Sequence, residues 1–351
     1  MANFITGLIL LMSILVDASN SNTLLTVTLI LSLSCTIFIT KWGIPKLSDL
    51  RLKQIIRSEG PKVHLKKGGT PTMGGLLIVP LSLIIGNLIN IQSNNYNQIF
   101  AISCITFAYM LIGILDDWKS LIHKTNKGIS AKQKLLFQSI AGCGFISWAY
   151  LKGWISSDVY LFSKISIEVG IIILPIALFV LIAESNATNL TDGLDGLASG
   201  CGALVFAGLG MQLILRESNN YTELANFCMA MSGGWLGFLQ YNKNPAKVFM
   251  GDTGSLAMGA SLGGIALVSN SLWALLIMGG IFLMESISVI LQVSIFKLTK
   301  KINGVGKRLF LMAPLHHHYE LKGQKEIDIV TNFWLITILL IGIGIILRTN
   351  S

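Results

Sequence analysis

Ile99-Phe-Ala-Ile-Ser-Cys-Ile-Thr-Phe-Ala-Tyr-Met-Leu-Ile-Gly-Ile-Leu115 carries no charge and stops on Asp116-Asp117-Trp118-Lys119. Its length sits at the lower end of the about 17 to 25 residues that cross roughly 30 Å of hydrocarbon as a helix. Carboxylates at such an end are expensive to place unless a cation or a reaction needs them. The run therefore reads as a membrane helix that delivers two acids to one membrane face.

Comparable apolar runs lie at Leu24–Lys41, Thr72–Ile91, Lys134–Leu151, Glu168–Ala183, Leu197–Leu215, Leu224–Gln240, Leu256–Ser269, Leu272–Lys297 and Ile329–Leu347. With Ile99–Leu115 they predict about ten transmembrane helices in an all-α protein. The run Glu168–Ala183 contains Pro175, and Leu256–Ser269 is short and glycine-rich; membrane helices tolerate both when neighbours satisfy the freed backbone groups. Phe4–Val16 is too short to span comfortably and lacks a basic leader or a small-residue cleavage site, so it is expected to lie at the interface. Over 351 residues, 52% are hydrophobic and 12% charged, too little polar surface for a soluble globule of this size. No linker divides the chain, and residues 1–351 are expected to form a single polytopic domain.

Ten spans place both termini on one side. Counted alternately, the loops put all but Lys152, Lys164, Arg216 and Arg348 of the 26 lysines and arginines on the other side, which the positive-inside rule makes cytoplasmic. Both termini then face outward. Orientation and attraction to anionic membrane lipids account for most of the net charge of +9, binding of phosphorylated substrates on the cytoplasmic face is the sharper reading of the rest, and no soluble domain remains to bind nucleic acid. Cys35, Cys104, Cys143, Cys201 and Cys228 lie in or beside apolar runs without metal-ligand spacing and read as packing residues.

That topology, drawn from basic residues alone, also gathers the other polar clusters on the cytoplasmic face. Asp116 and Asp117 can hold a hard cation, or one can act as base while the other orients it. In Asn189-Leu-Thr-Asp-Gly-Leu-Asp-Gly196, the residues Asn189, Asp192 and Asp195 recur every three positions, so one helical turn would point all three to the same side. Gly251-Asp-Thr-Gly-Ser255 sets Asp252 between glycines at a helix start, where backbone N–H groups meet an anion and the carboxylate can hold a phosphate-bridging Mg²⁺. His316, His317 and His318 form an internal run with no cysteine nearby, better suited to phosphate contact or proton transfer than to a soft metal.

Together with His64-Leu-Lys-Lys-Gly-Gly-Thr-Pro-Thr-Met-Gly-Gly75, Pro245–Ser255 and Met312–Glu320, these clusters resemble the polyprenyl-phosphate N-acetylhexosamine-1-phosphate transferase superfamily over nearly all of the chain beyond Ile37. The aspartate motifs mark the superfamily, and the Thr-Pro-Thr-Met-Gly-Gly and triple-histidine strings point to its muramoyl-pentapeptide branch. The resemblance implies a Mg²⁺-dependent enzyme of the bacterial inner membrane, acting in peptidoglycan synthesis. It would transfer phospho-N-acetylmuramoyl-pentapeptide from its UDP-linked donor to undecaprenyl phosphate, giving lipid I and UMP, and it is compatible with a homodimer. By motif, Asp252 would be the metal ligand, and Asp116 or Asp117 would deprotonate or position the lipid phosphate. Lys67, Thr72, Asn189, Asp192, Asp195, Asn242, Phe249 and Gln292 would line the nucleotide and sugar region, and His316, His317 and His318 would contact substrate, with His317 counted among the catalytic groups. Direct attack and a covalent aspartyl intermediate both fit these residues. Leu311 and Gln324-Lys325 depart from the family's usual pattern without removing a proposed catalytic group.

Two other classes compete. An intramembrane prenyltransferase would use Asn189-x-x-Asp192-x-x-Asp195 as a diphosphate site, but its second aspartate-rich segment is missing. A transporter would use the acids as an ion relay, yet relay carboxylates belong near mid-membrane rather than at span ends.

Overall fold

The computed structural model describes residues 1–20, 23–49, 69–123, 128–161, 165–216 and 221–347. In chain order its helices are α1 (Ala2–Ser19), α2 (Leu25–Asp49), α3 (Gly75–Ile89), α4 (Tyr96–Ile122), α5 (Ala131–Leu151), α6 (Ile173–Thr191), α7 (Leu197–Ile214), α8 (Thr222–Asn242), α9 (Gly251–Val268), α10 (Leu272–Met278), α11 (Gly280–Asn303), α12 (Leu315–Leu321) and α13 (Glu326–Ile346). A two-stranded antiparallel hairpin, β1 (Asp158–Tyr160) with β2 (Ser166–Glu168), joins α5 to α6.

Each of the ten expected spans finds a helix among α2–α9, α11 and α13. Among the described residues, seven helices, α1 among them, are long and apolar enough to cross a membrane by length and composition. The chain is thus an all-α multi-pass membrane protein. Nearly every residue of α7, α8 and α9 is buried, so these three form the centre, with α2 packed on α8 and both α4 and α6 on α9. Outward-facing side chains such as Phe38, Phe179, Leu151 and Ile346 are large, apolar and exposed, as a lipid-facing surface requires.

Four expectations need correction. Phe4–Val16 belongs to the 18-residue helix Ala2–Ser19, which is long and apolar enough to cross by length and composition, and polar groups inside it are satisfied locally: Thr6 donates to the Ala2 carbonyl and Ser13 to that of Leu10. Asp17 then accepts from the backbone N–H groups of Leu25 and Thr26, fixing α1 to the N-terminus of α2 where a carboxylate is favoured. Glu168 lies in the hairpin, not in a span, and α6 starts at Ile173. That helix also runs past Ala183 to Thr191. In its polar end Asn186, Thr188 and Thr191 donate back to the carbonyls of Ile182, Glu184 and Ala187, so these side chains are satisfied within the helix. Finally, Leu272–Lys297 is not one helix but two, interrupted at Gly279.

The helices that carry the polar clusters approach closely because glycine faces backbone. A Cβ at Gly113 of α4 would collide with the Asp252 carbonyl at the start of α9, and one at Gly259 of α9 would collide with Glu184 and Ser185 of α6.

Candidate active site

Helix ends meet at one end of the bundle. The C-terminal turns of α4 bring Asp116 and Asp117, the first turn of α5 brings Lys134, the last turn of α6 brings Asn189, and the first turn of α9 brings Asp252. Helix α5 starts where it does because Ser130 and Gln133 form a reciprocal capping box, which fixes the helix start one turn before Lys134.

Asp252 is the hub. Its Oδ2 lies 2.5 Å from the Lys134 ammonium, its Oδ1 accepts from Asn189 Nδ2 at 2.8 Å, and the Asp116 carboxyl is within hydrogen-bonding reach. Asn189 also donates to Ser255 Oγ at 2.9 Å. Asp117 is committed to the N-terminus of α9. It accepts from the backbone N–H of Asp252 at 3.1 Å and of Thr253 at 2.9 Å, and from the Thr253 hydroxyl at 2.6 Å. A carboxylate there satisfies orphan N–H groups and complements the helix dipole. Asp116 accepts from the Ile129 N–H at 3.1 Å and retains capacity for a further partner.

The segment before α3 lies against the segment before α9. The Phe249 N–H donates to the Pro71 carbonyl, Gly74 donates back to Phe249, and Gly75 donates to Met250. This pairing sets Thr72, which is buried, and the half-buried Phe249 beside the start of α9. Lys67 lies outside the described residues.

Asn189, Asp192 and Asp195 do not share one side, because α6 ends at Thr191 and the chain turns through Gly193 and Gly196 before α7. Asn189 faces Asp252. Asp192 follows the helix end, and burial, reinforced by Asp252, Asp117 and Asp195, pushes its carboxyl up to about 8. Asp195 turns away, accepting from Asn244 Nδ2 and the Ala246 N–H, while its own N–H donates to Glu326 of α13. Asn242 is likewise spent on the scaffold: its oxygen accepts from Gly196 N–H and Ser199 Oγ, and its nitrogen donates to the Val248 carbonyl.

The three histidines diverge as well. His316 is buried against Glu285 of α11, with Nδ1 3.2 Å from Oε1, and its ring lies so close to Gly193 that any Cβ there would strike Nε2. His317 pairs with Glu320 at 2.7 Å. His318 Nδ1 accepts from the Leu311 N–H, and partial burial, then Lys322, lowers its imidazole below the ordinary value. Gln292 accepts from the N–H groups of Leu309 and Phe310 and donates to the Phe310 carbonyl, so it shapes the segment leading to the histidines.

Lys134 and Glu285 did not stand out from the sequence. Lys134 read as one of many orientation charges and Glu285 as part of a span; a lysine one turn inside a capped helix start, where it can swing back to the helix end, is the signal that marks the first.

Oxygen-rich, acidic and with one ammonium facing the hub, this site suits phosphoryl transfer. Residues 99–270 match the family model Glycosyl transferase family 4. A relative from Prochlorococcus marinus (strain MIT 9313), named phospho-N-acetylmuramoyl-pentapeptide-transferase, is 56% identical over 335 residues, covering 95% of this chain and 90% of its own. One of the same name from Synechococcus sp. (strain CC9605) is 52% identical over 347 residues, covering 99% of each. The chain belongs to the phospho-N-acetylmuramoyl-pentapeptide-transferase family.

Proposed function

We propose that the chain transfers phospho-N-acetylmuramoyl-pentapeptide from its UDP-linked donor to undecaprenyl phosphate, giving lipid I and UMP at the cytoplasmic face of the bacterial inner membrane. The observation that carries the reading is the convergence of Asp116, Asp252, Lys134 and Asn189 at the ends of four apolar helices. A water-soluble sugar nucleotide and a bilayer-bound phosphate can meet only at such a boundary.

An oxygen of the lipid phosphate attacks the β-phosphorus, the bond from that phosphorus to the bridging oxygen breaks, and UMP leaves with the electron pair. Asp116 is better placed than Asp117 to take a proton from the lipid phosphate or hold it, since Asp117 already receives three donors from the start of α9. Lys134 sits where it can balance phosphate charge, and Asn189 keeps the Asp252 carboxylate oriented.

The donor set fits Mg²⁺: hard carboxylate oxygens of Asp252 and Asp116 lie together, with a cationic group already drawn to Asp252. Among the described residues no three acidic, histidine or cysteine side chains meet closely enough to hold a metal ion. Asp252 would therefore hold Mg²⁺ with substrate phosphates completing its shell. When bound, the ion neutralises charge developing on the β-phosphate. Thr72 and Phe249 beside the start of α9, together with Asp192 and the α12 histidines, are the donor-binding candidates, whereas Asp195, Asn242 and Gln292 act by shaping the loops.

The test is product identity. Protein incubated with donor labelled in the sugar, undecaprenyl phosphate and Mg²⁺ should move label into an organic-extractable diphosphate lipid. Label that instead appears as free sugar phosphate, or a product formed from a prenyl diphosphate and an aromatic acceptor, would refute the reading.

A further inference from the structure

Helix α11 outlasts the bundle it belongs to. Its last buried residue is Ser288, and nothing between Ser288 and His316 is buried. The helix nevertheless runs on to Asn303, about 22 Å further at 1.5 Å per residue. The chain then turns at Gly304 and comes back along it: the Lys307 N–H donates to Thr299 Oγ1, Gly306 lies against the Phe296 ring, and Gln292 accepts from the N–H groups of Leu309 and Phe310. Residues 292–311 thus form a two-limbed arm whose outer side chains stand clear of the other helices.

The helical limb has three faces of different chemistry. Phe296 and Thr299 meet the returning limb. Lys297, Lys300 and Lys301, spaced i, i+3 and i+4, share a second face, and all three are exposed. Lys307 and Arg308 on the returning limb are exposed too, and no Asp or Glu occurs between Glu285 and Glu320 to offset these cations. The third face is apolar and exposed: Leu291, Leu298 and Ile302 are spaced i, i+7 and i+11, and the row continues back through Ile287 and Met284. An exposed apolar row that runs from the spanning part of α11 to the tip of the arm, beside a cationic face without acids, is the pattern of a helix lying at a bilayer surface. At about 36 Å, α11 exceeds the roughly 30 Å of hydrocarbon, so its end reaches that surface. A second copy of the arm would set cation against cation, and a soluble acidic partner bound to the lysines would leave Leu298 and Ile302 in water.

We propose that the arm is a membrane-surface foot that binds anionic phospholipid, with Leu298 and Ile302 turned into the boundary between headgroups and acyl chains and Lys297, Lys300 and Lys301 reaching lipid phosphates. Lysine suits this position because its apolar stem lies along the boundary while its ammonium extends to the phosphate. Attraction of each cation to an anionic surface falls off within a Debye length, so this binding weakens with salt, whereas apolar contact does not. The three lysines take no part in the carboxylate hub, and the proposal does not rest on the transferase reading.

The test uses the full chain in phosphatidylcholine nanodiscs doped with a trace of photoreactive phosphatidylglycerol or of photoreactive phosphatidylcholine, the two probes carrying the same diazirine-bearing acyl chains. Labelling of peptides from residues 292–311 is read by mass spectrometry against that of residues 335–346 in α13, an apolar stretch without a charge. Phosphatidylglycerol should label the arm about tenfold more than phosphatidylcholine on that scale, and about 0.5 M salt should remove most of the preference. Replacing all three lysines, Lys297→Gln, Lys300→Gln and Lys301→Gln, should bring phosphatidylglycerol labelling down to the phosphatidylcholine level. Equal labelling by the two probes in the unmodified protein would overturn the proposal, as would a preference that survives the triple replacement. An arm labelled by neither probe would stand in water, which fits a soluble acidic partner and contradicts the foot. Displacement of phosphatidylglycerol by inorganic phosphate at matched ionic strength would assign the lysines to a soluble anion and overturn it equally. The two-probe comparison needs no variant, so a misfolded triple replacement leaves the test decisive, and no step reads transferase turnover.

Discussion

The Lys134 ammonium lies 2.5 Å from Asp252 Oδ2, tying the first turn of α5 to the first turn of α9. Both side chains are largely shielded, so the pair is weakened less by solvent than a surface bridge. Removing the cation leaves Asp252 with one amide donor beside other acids. Lys134→Met should lower turnover by about tenfold to a hundredfold, matching the roughly 1.5–3 kcal/mol of a charge-assisted hydrogen bond. Initial rates of UMP release measure it; a rate within twofold of the unmodified protein would separate Lys134 from the chemistry.

Asp117→Asn tests a different role. The carboxylate accepts three hydrogen bonds from Asp252 and Thr253, and an amide can offer only one acceptor atom to them. The start of α9 should loosen, costing about 1–3 kcal/mol of stability. Thermal unfolding in detergent should show it together with lost turnover. Asp116→Asn, with fewer structural partners, should lose turnover while melting near normal.

Gly193→Ala should act through His316. The new methyl would occupy the space of the His316 ring, pushing it off Glu285 and shifting α12. The expected outcome is a raised KM for the sugar nucleotide with little change in Mg²⁺ dependence, read from steady-state kinetics at several Mg²⁺ concentrations.

How much of this was legible beforehand follows from what sequence patterns encode. Apolar runs located the helices because crossing hydrocarbon demands continuous hydrophobicity, and the acids at Asp116, Asp117 and Asp252 stood out because such segments rarely carry them. Helix ends were less legible: Asn186, Thr188 and Thr191 look like loop residues, yet each returns its polar group to the helix backbone. The break at Gly279 was hidden within one apolar run. Partner choice was least legible. Asp195 shares a motif with Asn189 but bonds to Asn244 and Ala246 far along the chain, and only the fold brings Lys134 to Asp252.

Asp192 carries a pH signature. Burial and neighbouring acids raise its folded value to about 8, above the ordinary carboxyl range. The folded protein therefore binds more protons than the unfolded chain across the interval between, and its stability should fall as pH rises through about 8. In protein free of substrate and divalent metal, melting temperature measured from pH 5 to 9 should decline, and Asp192→Asn should flatten that decline. An unchanged slope would show that another group carries it.

The most direct test of the site is UMP release by purified protein given UDP-N-acetylmuramoyl-pentapeptide, with undecaprenyl phosphate and Mg²⁺ each supplied or withheld, for the unmodified chain and for Asp252→Asn. Steady release should require both substrates and the metal, and Asp252→Asn, which keeps size but removes charge at the hub, should lower it by about a hundredfold or more while melting stays near normal. Sustained release without the lipid phosphate, or near-normal turnover by Asp252→Asn at saturating Mg²⁺, would contradict the account.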